Sequence, residues 1–335
     1  MKICLPFFSL VFLILTNCVD TKPGPYRKIA GFTQGTTFHI TYEDKADKDL
    51  SASVDSLFKV FDLTFSEYIP NSIVSRINQN DSTVRLNDMF IEVYNKSVEI
   101  NKETHGALDL TVGPLVNAWG FGPEKKVKID SSKIDSLLQY VGMEKIRLDG
   151  RRLIKKLPGI KIDVNSIAQG YCVDVVCHFF ESLGIKNFMV EIGGEVRTKG
   201  KNPKNDFWRI GVDKPVEGNN AAGESLQTII LLDNNSVTTS GNYRKYFEEN
   251  GQKFSHIIDP HTGYPYKNNL LSVTVIAKDG LTADGYDTPL MVLGLDGARE
   301  VLRHHPELEA YMIYSDKDGQ FKVEFTKGIK FDIQK

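Results

Sequence analysis

The apolar and polar positions change period along the chain. Residues 36 to 44, TTFHITYED, alternate Phe38, Ile40 and Tyr42 with Thr37, His39 and Thr41, the period-two pattern of a strand with one face buried. In DLSASVDSLFKVFDLTFSEY (49 to 68), Leu50, Val54, Leu57, Phe58 and Phe61 recur at helical spacing instead. The same spacing predicts helices over 87 to 106, 130 to 142 and 166 to 184, stopped by Gly106, Gly142 and Gly184. The third, SIAQGYCVDVVCHFFESLG, is apolar on nearly every side through Ile167, Val173, Val175, Val176, Phe179, Phe180 and Leu183. A helix without a polar face is a central, buried one. Strand-like runs follow at FMVEI, WRIGV, LQTIILL, KFSHIID and LLSVTVIA, and YMIYSDKDGQFKVEF reads as a hairpin turning at Asp318 and Gly319. Helices first, strands grouped later and two halves meeting near residue 185 predict an α+β fold rather than an alternating parallel sheet.

Composition narrows the function. The 335 residues are 41% hydrophobic and 25% charged with a formal net charge of −2, so the chain can bury a core but has no basic excess for nucleic acid. A small ligand or another protein fits better. The opening MKICLPFFSLVFLILTNC has one lysine, Lys2, before an apolar block from Leu5 to Leu15, shorter than the roughly 20 residues of a membrane span. It reads as an export signal over residues 1 to 17. LTNC, ending at Cys18, resembles a bacterial lipoprotein box, with Asn17 where a small residue is usual. A lipid on Cys18 would leave 18 to 26 as a tether and 27 to 335 as the working domain; the alternative is a signal without lipid. Cys172 and Cys177 sit five apart, about 140° around a helix, and cannot bridge; they are expected to be buried apolar residues.

Four stretches carry candidate chemistry. In LTADGYDTPLMVLG, Asp284, Asp287 and Thr288 stand at i, i+3 and i+4, which on a helix gathers two carboxylates and a hydroxyl on one face. Such hard oxygens suit Mg²⁺ or Ca²⁺. The alternative is that Thr282 and Asp284 cap a helix, and Pro289 can delay the regular helix to that residue. In FSHIIDPHTGYP, a strand ends at Asp259 and Pro260, with His256 and His261 flanking a turn at Gly263; a neutral imidazole there can accept a proton or simply pack. In IDVNSIAQGYCVD, a helix opening near Ser166 offers free amides to a phosphate, or carries a plain cap. In VEIGGEVRTKG, Gly193 and Gly194 make a hairpin or allow close approach to a ligand. Neither a G-x-G-x-x-G turn nor a G-x-x-x-x-G-K-[ST] loop is present.

Taken jointly, YIPNSIVSRIN, HGALDLTVGPLVNAWGFGPE, IDVNSIAQGYCVD, EIGGEVRTKG, TTSGNYRKYFEENGQKFSHIIDPHTGYP and LLSVTVIAKDGLTADGYDTPLMVLG resemble, in this order, the bacterial FAD:protein FMN transferases, the ApbE family. The resemblance runs from about residue 27 to beyond 310. It implies two interlocked α+β subdomains with mostly antiparallel sheets and a central buried helix. It also implies a lipoprotein of the inner membrane facing the periplasm, which splits FAD with Mg²⁺, attaches FMN to a threonine of an exported acceptor protein and releases AMP. A subunit of a membrane redox complex would be such an acceptor. By the same resemblance, Asp284 and Thr288 would hold the metal, with Asp287 and the backbone oxygen of Ser166 nearby. The flavin nucleotide would lie against Tyr68, Ala107, Leu108, Asp109, Asp163, Gln169 and Ile258, with Gln34 at the entrance.

This chain departs from the family pattern at Gln169, where lysine is common, at Gln34, where methionine is, and at Asp287, where alanine is. A pyrophosphate carries clustered negative charge that repels a nucleophile, so a bridging Mg²⁺ would help both attack and departure. His256, or failing it Asp284, would take the threonine proton. FAD hydrolysis to FMN and AMP, or FAD binding without chemistry, are the alternatives. The family's acceptors carry a motif ending in Ala-Thr or a close variant, and no Ala-Thr pair occurs here, so the acceptor is expected to be another protein.

Overall fold

The computed structural model describes residues 25–216, 224–242, 246–249 and 252–332. The expected signal, Cys18 and all but the end of the tether lie outside the described residues. Strands β1 (Tyr26–Thr33) and β2 (Thr36–Glu43) form a hairpin, followed by helices α1 (Ser51–Phe65), α2 (Ile73–Asn78), α3 (Asp88–Glu103), α4 (Gly113–Trp119) and α5 (Ser131–Leu138). A short hairpin, β3 (Ile146–Asp149) and β4 (Arg152–Lys155), leads into helix α6 (Ala168–Ser182). Then come β5 (Phe188–Ile192), β6 (Glu195–Lys199), β7 (Trp208–Asp213), β8 (Leu226–Leu232), β9 (Ser236–Gly241), β10 (Tyr246–Glu249), β11 (Gln252–Ser255) and β12 (Leu270–Ala277). Helix α7 (Gly280–His304) and strands β13 (Glu309–Ser315) and β14 (Phe321–Phe325) complete the described chain.

Eight strands form one sheet in the order β1-β2-β5-β6-β9-β12-β13-β14, antiparallel at every pairing. The two halves therefore meet within a single sheet, where β2 from before residue 185 pairs with β5 after it and β1 adds an edge strand. Alternation along β12 covers both faces: Val273 and Val275 join the main core under the helices, while Ile276 joins a smaller cluster with Trp208 and Ile230 of the β7–β8 hairpin. Helix α6 lies in the main core as its all-round apolar sequence requires, with Val173, Val176, Cys177 and Phe180 wholly or almost wholly buried. Cys172 and Cys177 are free and buried.

Differences from the sequence expectation have local causes. Helix α1 stops at Phe65, because Ser66 turns extended (φ −65°, ψ 128°) and its carbonyl accepts the hydroxyls of Ser72 and Ser75. The strand expected over 253 to 259 ends at Ser255; beyond it, Ile258 makes only an isolated bridge to Pro265. Gly193 and Gly194 close the β5–β6 hairpin with φ of 66° and 111°, the left-handed pair that a two-residue hairpin turn needs. Helix α7 starts at Gly280, capped by Asp279, whose side chain accepts from the Thr282 amide at 2.8 Å. Thr282 and Asp284 are thus not its caps, and Pro289 sits inside it; the break comes later, at Gly294 (φ 71°).

Candidate active site

Helices α6 and α7 cross at two glycines. A β-carbon on Gly170 would stand 2.2 Å from the Gly280 carbonyl oxygen and 2.5 Å from Cβ of Asp284, so only glycine permits this approach. The closeness lets Asp284 reach the start of α6, where its Oδ2 accepts the Gly170 amide at 2.8 Å. That amide is one of the first-turn donors a helix cannot satisfy by itself. Ser166 lies in the turn just ahead of α6, at the end that Asp284 caps. One turn further along α7, Thr288 donates to Asp287 Oδ1 (3.2 Å) and meets Ser240 Oγ of β9 at 3.1 Å.

The electrostatics of this pair are unusual. Asp284 is 5% and Asp287 2% exposed, and no lysine, arginine or histidine pairs with either among the described residues. Burial raises the pKa of both; the charge of Asp174 adds to the rise at Asp284, and the charge of Asp284 to that at Asp287. Thr238 Oγ1 on β9 is buried on the same sheet face as Ser240 and within hydrogen-bonding reach of Asp287. Two buried carboxylates with hydroxyls beside them and no protein cation fit a hard divalent ion. Among the described residues no cluster of three or more His, Cys, Asp or Glu forms a metal cage. An ion here would complete its shell from hydroxyls, a carbonyl and substrate phosphates, as Mg²⁺ commonly does.

The remaining predicted residues gather beside this crossing in two groups. Gln169, in the first turn of α6, donates to the Ile192 carbonyl at 3.2 Å, and its amide fills the space above Gly193, where a β-carbon would come within 1.8 Å. The hairpin reading of Gly193 therefore holds, and the space beside its α-carbon is taken by the Gln169 amide. Gln34 occupies the β1–β2 turn with φ of 50° and donates to Cys172 Sγ at 3.0 Å.

In the second group, the Asp163 amide donates to the Leu110 carbonyl at 2.8 Å, which sets Asp163 alongside the segment of Ala107, Leu108 and Asp109. Ala107 and Leu108 are buried. Asp109 is engaged with its own loop, accepting from the Thr111 amide (2.7 Å), the Thr111 hydroxyl (2.5 Å) and the Met143 amide (3.1 Å). Tyr68 stands out at 70% exposed. The histidine turn packs onto the same region: Ile258 shares a small core with Leu115, Trp119 and Ile134, Trp119 donates to the Gly263 carbonyl (2.8 Å), and His261 Nε2 lies 2.8 Å from the His105 carbonyl. His256, just past β11, is half-buried with its ring edge-on to Phe121, centroids 6.3 Å apart.

Against this geometry, the sequence profile of the ApbE family matches residues 34–312. The FAD:protein FMN transferase of Haemophilus influenzae is 40% identical, over 92% of this chain and 92% of its own length. That of Vibrio cholerae is 39% identical, over 95% of each. The chain belongs to the ApbE family. Its fold agrees with the solved flavin transferase ApbE from Vibrio cholerae, with a TM-score of 0.82, 37% identity, and coverage of 91% of this chain and 98% of that one.

Within this ApbE fold, sequence reasoning passed over three residues that shape the site. Glu67 accepts from Asn165 Nδ2 at 3.0 Å; burial and the neighbouring Asp163 push its pKa up to about 9. Asp174 and Arg197 pair at 2.6 Å, almost wholly buried. The available signal for Asp174 was its place as the only acid between Ala168 and Phe180 on a helix otherwise without a polar face.

Proposed function

We propose that this chain is an FAD:protein FMN transferase that uses Mg²⁺, splits FAD and leaves FMN on a threonine of an exported acceptor protein, with AMP released. Family membership supports the reaction, since the curated relatives bear that name. The observation that carries the metal assignment is the buried pair Asp284 and Asp287, without a protein cation among the described residues.

The roles follow from position. Asp284 and Thr288 would hold the ion, with Asp287 and the Ser166 carbonyl close by. Bound there, Mg²⁺ would neutralise pyrophosphate oxygens and stabilise the departing AMP. With the α6 amides already capped by Asp284 and Val164, the Gln169 side chain would face the phosphates, while Tyr68, the 107 to 109 segment, Asp163 and Ile258 would receive the flavin nucleotide and Gln34 would border its entrance. The threonine oxygen would form a bond to the FMN phosphorus as the bond to AMP breaks, and His256 would take the hydroxyl proton. The signal and Cys18 would tether the enzyme to the inner membrane on its periplasmic side, beside exported acceptors such as subunits of a redox complex.

Incubating the protein with FAD, Mg²⁺ and a candidate acceptor tests the reading. AMP release together with flavin fluorescence that survives denaturing electrophoresis on the acceptor is expected. No AMP at any Mg²⁺ concentration would sink it, and AMP with free FMN in place of a labelled acceptor would replace transfer by hydrolysis.

A further inference from the structure

The α6–α7 crossing is a reciprocal clasp built from one pattern used twice. GYCVD (170 to 174) and GLTAD (280 to 284) each carry a glycine at the helix start and an aspartate four residues on. Gly170 of α6 gives its amide to Asp284 of α7 at 2.8 Å. In return Asp174 of α6 takes the amides of Gly280 and Leu281 of α7, both at 2.8 Å. Each helix thus caps the other's exposed donors with a buried carboxylate, over two glycines in backbone contact.

The two halves differ in one respect. Asp174 has a protein cation, Arg197 Nη1 on β6 at 2.6 Å, whose side chain is only 13% exposed. Asp284 has none among the described residues. A carboxylate this buried is tolerated when paired, so the clasp holds one anion with its own counter-charge and one that awaits an ion from outside.

We propose that Asp174 and Arg197 are positioning residues for the cation site: by fixing the first turn of α7 against α6, they set where the Asp284 carboxylate stands and so how tightly the ion is held. The inference rests on the metal reading above. Arg197 acts at a distance from the ion, through Asp174, the amides of Gly280 and Leu281, and one helical turn. Partners that orient a metal ligand typically change affinity by about 10–100-fold when removed.

Mn²⁺ is the probe, its free concentration read by electron paramagnetic resonance during titration of the full-length protein. Arg197→Gln is expected to bind Mn²⁺ at least ~10-fold more weakly than wild type. Arg197→Lys, which keeps the charge but not the planar fork, should fall between them at about 2–5-fold weaker. FAD affinity measured in EDTA should stay within about two-fold for both, a split that general loosening would not give. A core variant, Phe188→Leu, matched to Arg197→Gln in thermal midpoint, should keep wild-type Mn²⁺ affinity. Equal Mn²⁺ affinity in wild type and Arg197→Gln would overturn the inference alone; wild type that binds no Mn²⁺ would overturn the metal reading with it. Should Arg197→Gln fail to fold, Arg197→Lys carries the test, and wild-type affinity in that variant overturns the proposal.

Discussion

The α6–α7 crossing and the rim around Tyr68, the two parts of the proposed site, are built on opposite plans. At the crossing, Asp284, Asp287 and Asp174 are each at most 5% exposed, and glycine contacts fix the backbones that carry them. At the rim, Tyr68 is 70% exposed and Gln34 sits in a two-residue turn. A metal needs ligands held to a fraction of an ångström, which packed helices provide; a large flavin and a protein acceptor need an opening, which loops provide. Damage at the crossing should therefore cost chemistry and stability, and damage at the rim should cost ligand affinity alone.

The largest effect is expected from Asp284→Ala. It removes the proposed metal ligand and the cap on α6 together, and AMP release should fall by about a thousand-fold or more, because charge stabilisation by a metal is worth several kcal/mol. Assaying AMP across a Mg²⁺ series should show Mg²⁺ dependence vanish with the activity; full activity would remove the metal assignment. Next is Gly170→Ala, whose new methyl would meet the Gly280 carbonyl at 2.2 Å. Overpacking of backbone against backbone should lower unfolding free energy by about 2–3 kcal/mol, read from urea melts. A wild-type melt would mean the helices separate cheaply, and the contrast between crossing and rim would disappear.

The same contrast governs what could be read in the sequence. Long periodic elements were legible: α1, α3, α6 and strands β5, β7, β8 and β12 follow apolar spacing that packing enforces, whereas β9 and β10, SVTTSG and YFEE, carry too few apolar residues to show a period. Strand β1 was not, because its buried positions, Ile29 and Thr33, are four apart with Ala30, Gly31 and Phe32 exposed between them. Helices α2 and α4, of six and seven residues, are too short to establish a period. In the site, Asp284 and Thr288 were legible because four residues make one helical turn. Asp174 was not, since its purpose is to cap a helix that begins 106 residues later. Glu67 was hidden for the same reason: its partner in charge, Asp163, adjoins it only through the fold.

At the rim, Tyr68→Ala should leave the thermal midpoint within about 1 °C, as expected for an exposed side chain, yet weaken FAD binding by roughly five-fold or more, about 1 kcal/mol for one aromatic stacking partner. Flavin fluorescence titration in EDTA would measure it. Unchanged affinity would move the flavin away from Tyr68 and leave the rim without its most exposed aromatic contact.

The smallest effect, and the one that tests whether the rim hides a buried corner, belongs to Glu67. Burial first and the charge of Asp163 second push its pKa up to about 9 from an ordinary 4.5. Between those values the unfolded chain has released a proton that the folded chain still holds. Folding therefore becomes less favourable as pH rises through that window, whereas below it both states are protonated and the group is silent. Glu67→Gln is neutral throughout and can still accept from Asn165 Nδ2. Its thermal midpoint, followed by tryptophan fluorescence, should match wild type at pH 4 and exceed it by roughly 1–2 °C at pH 8, well short of what the full pKa gap would give because water reaches this part-exposed side chain. Parallel curves at both pH values would show that Glu67 ionises as if in water, and the division between a dry crossing and a wet rim would then be sharper than the structure draws it.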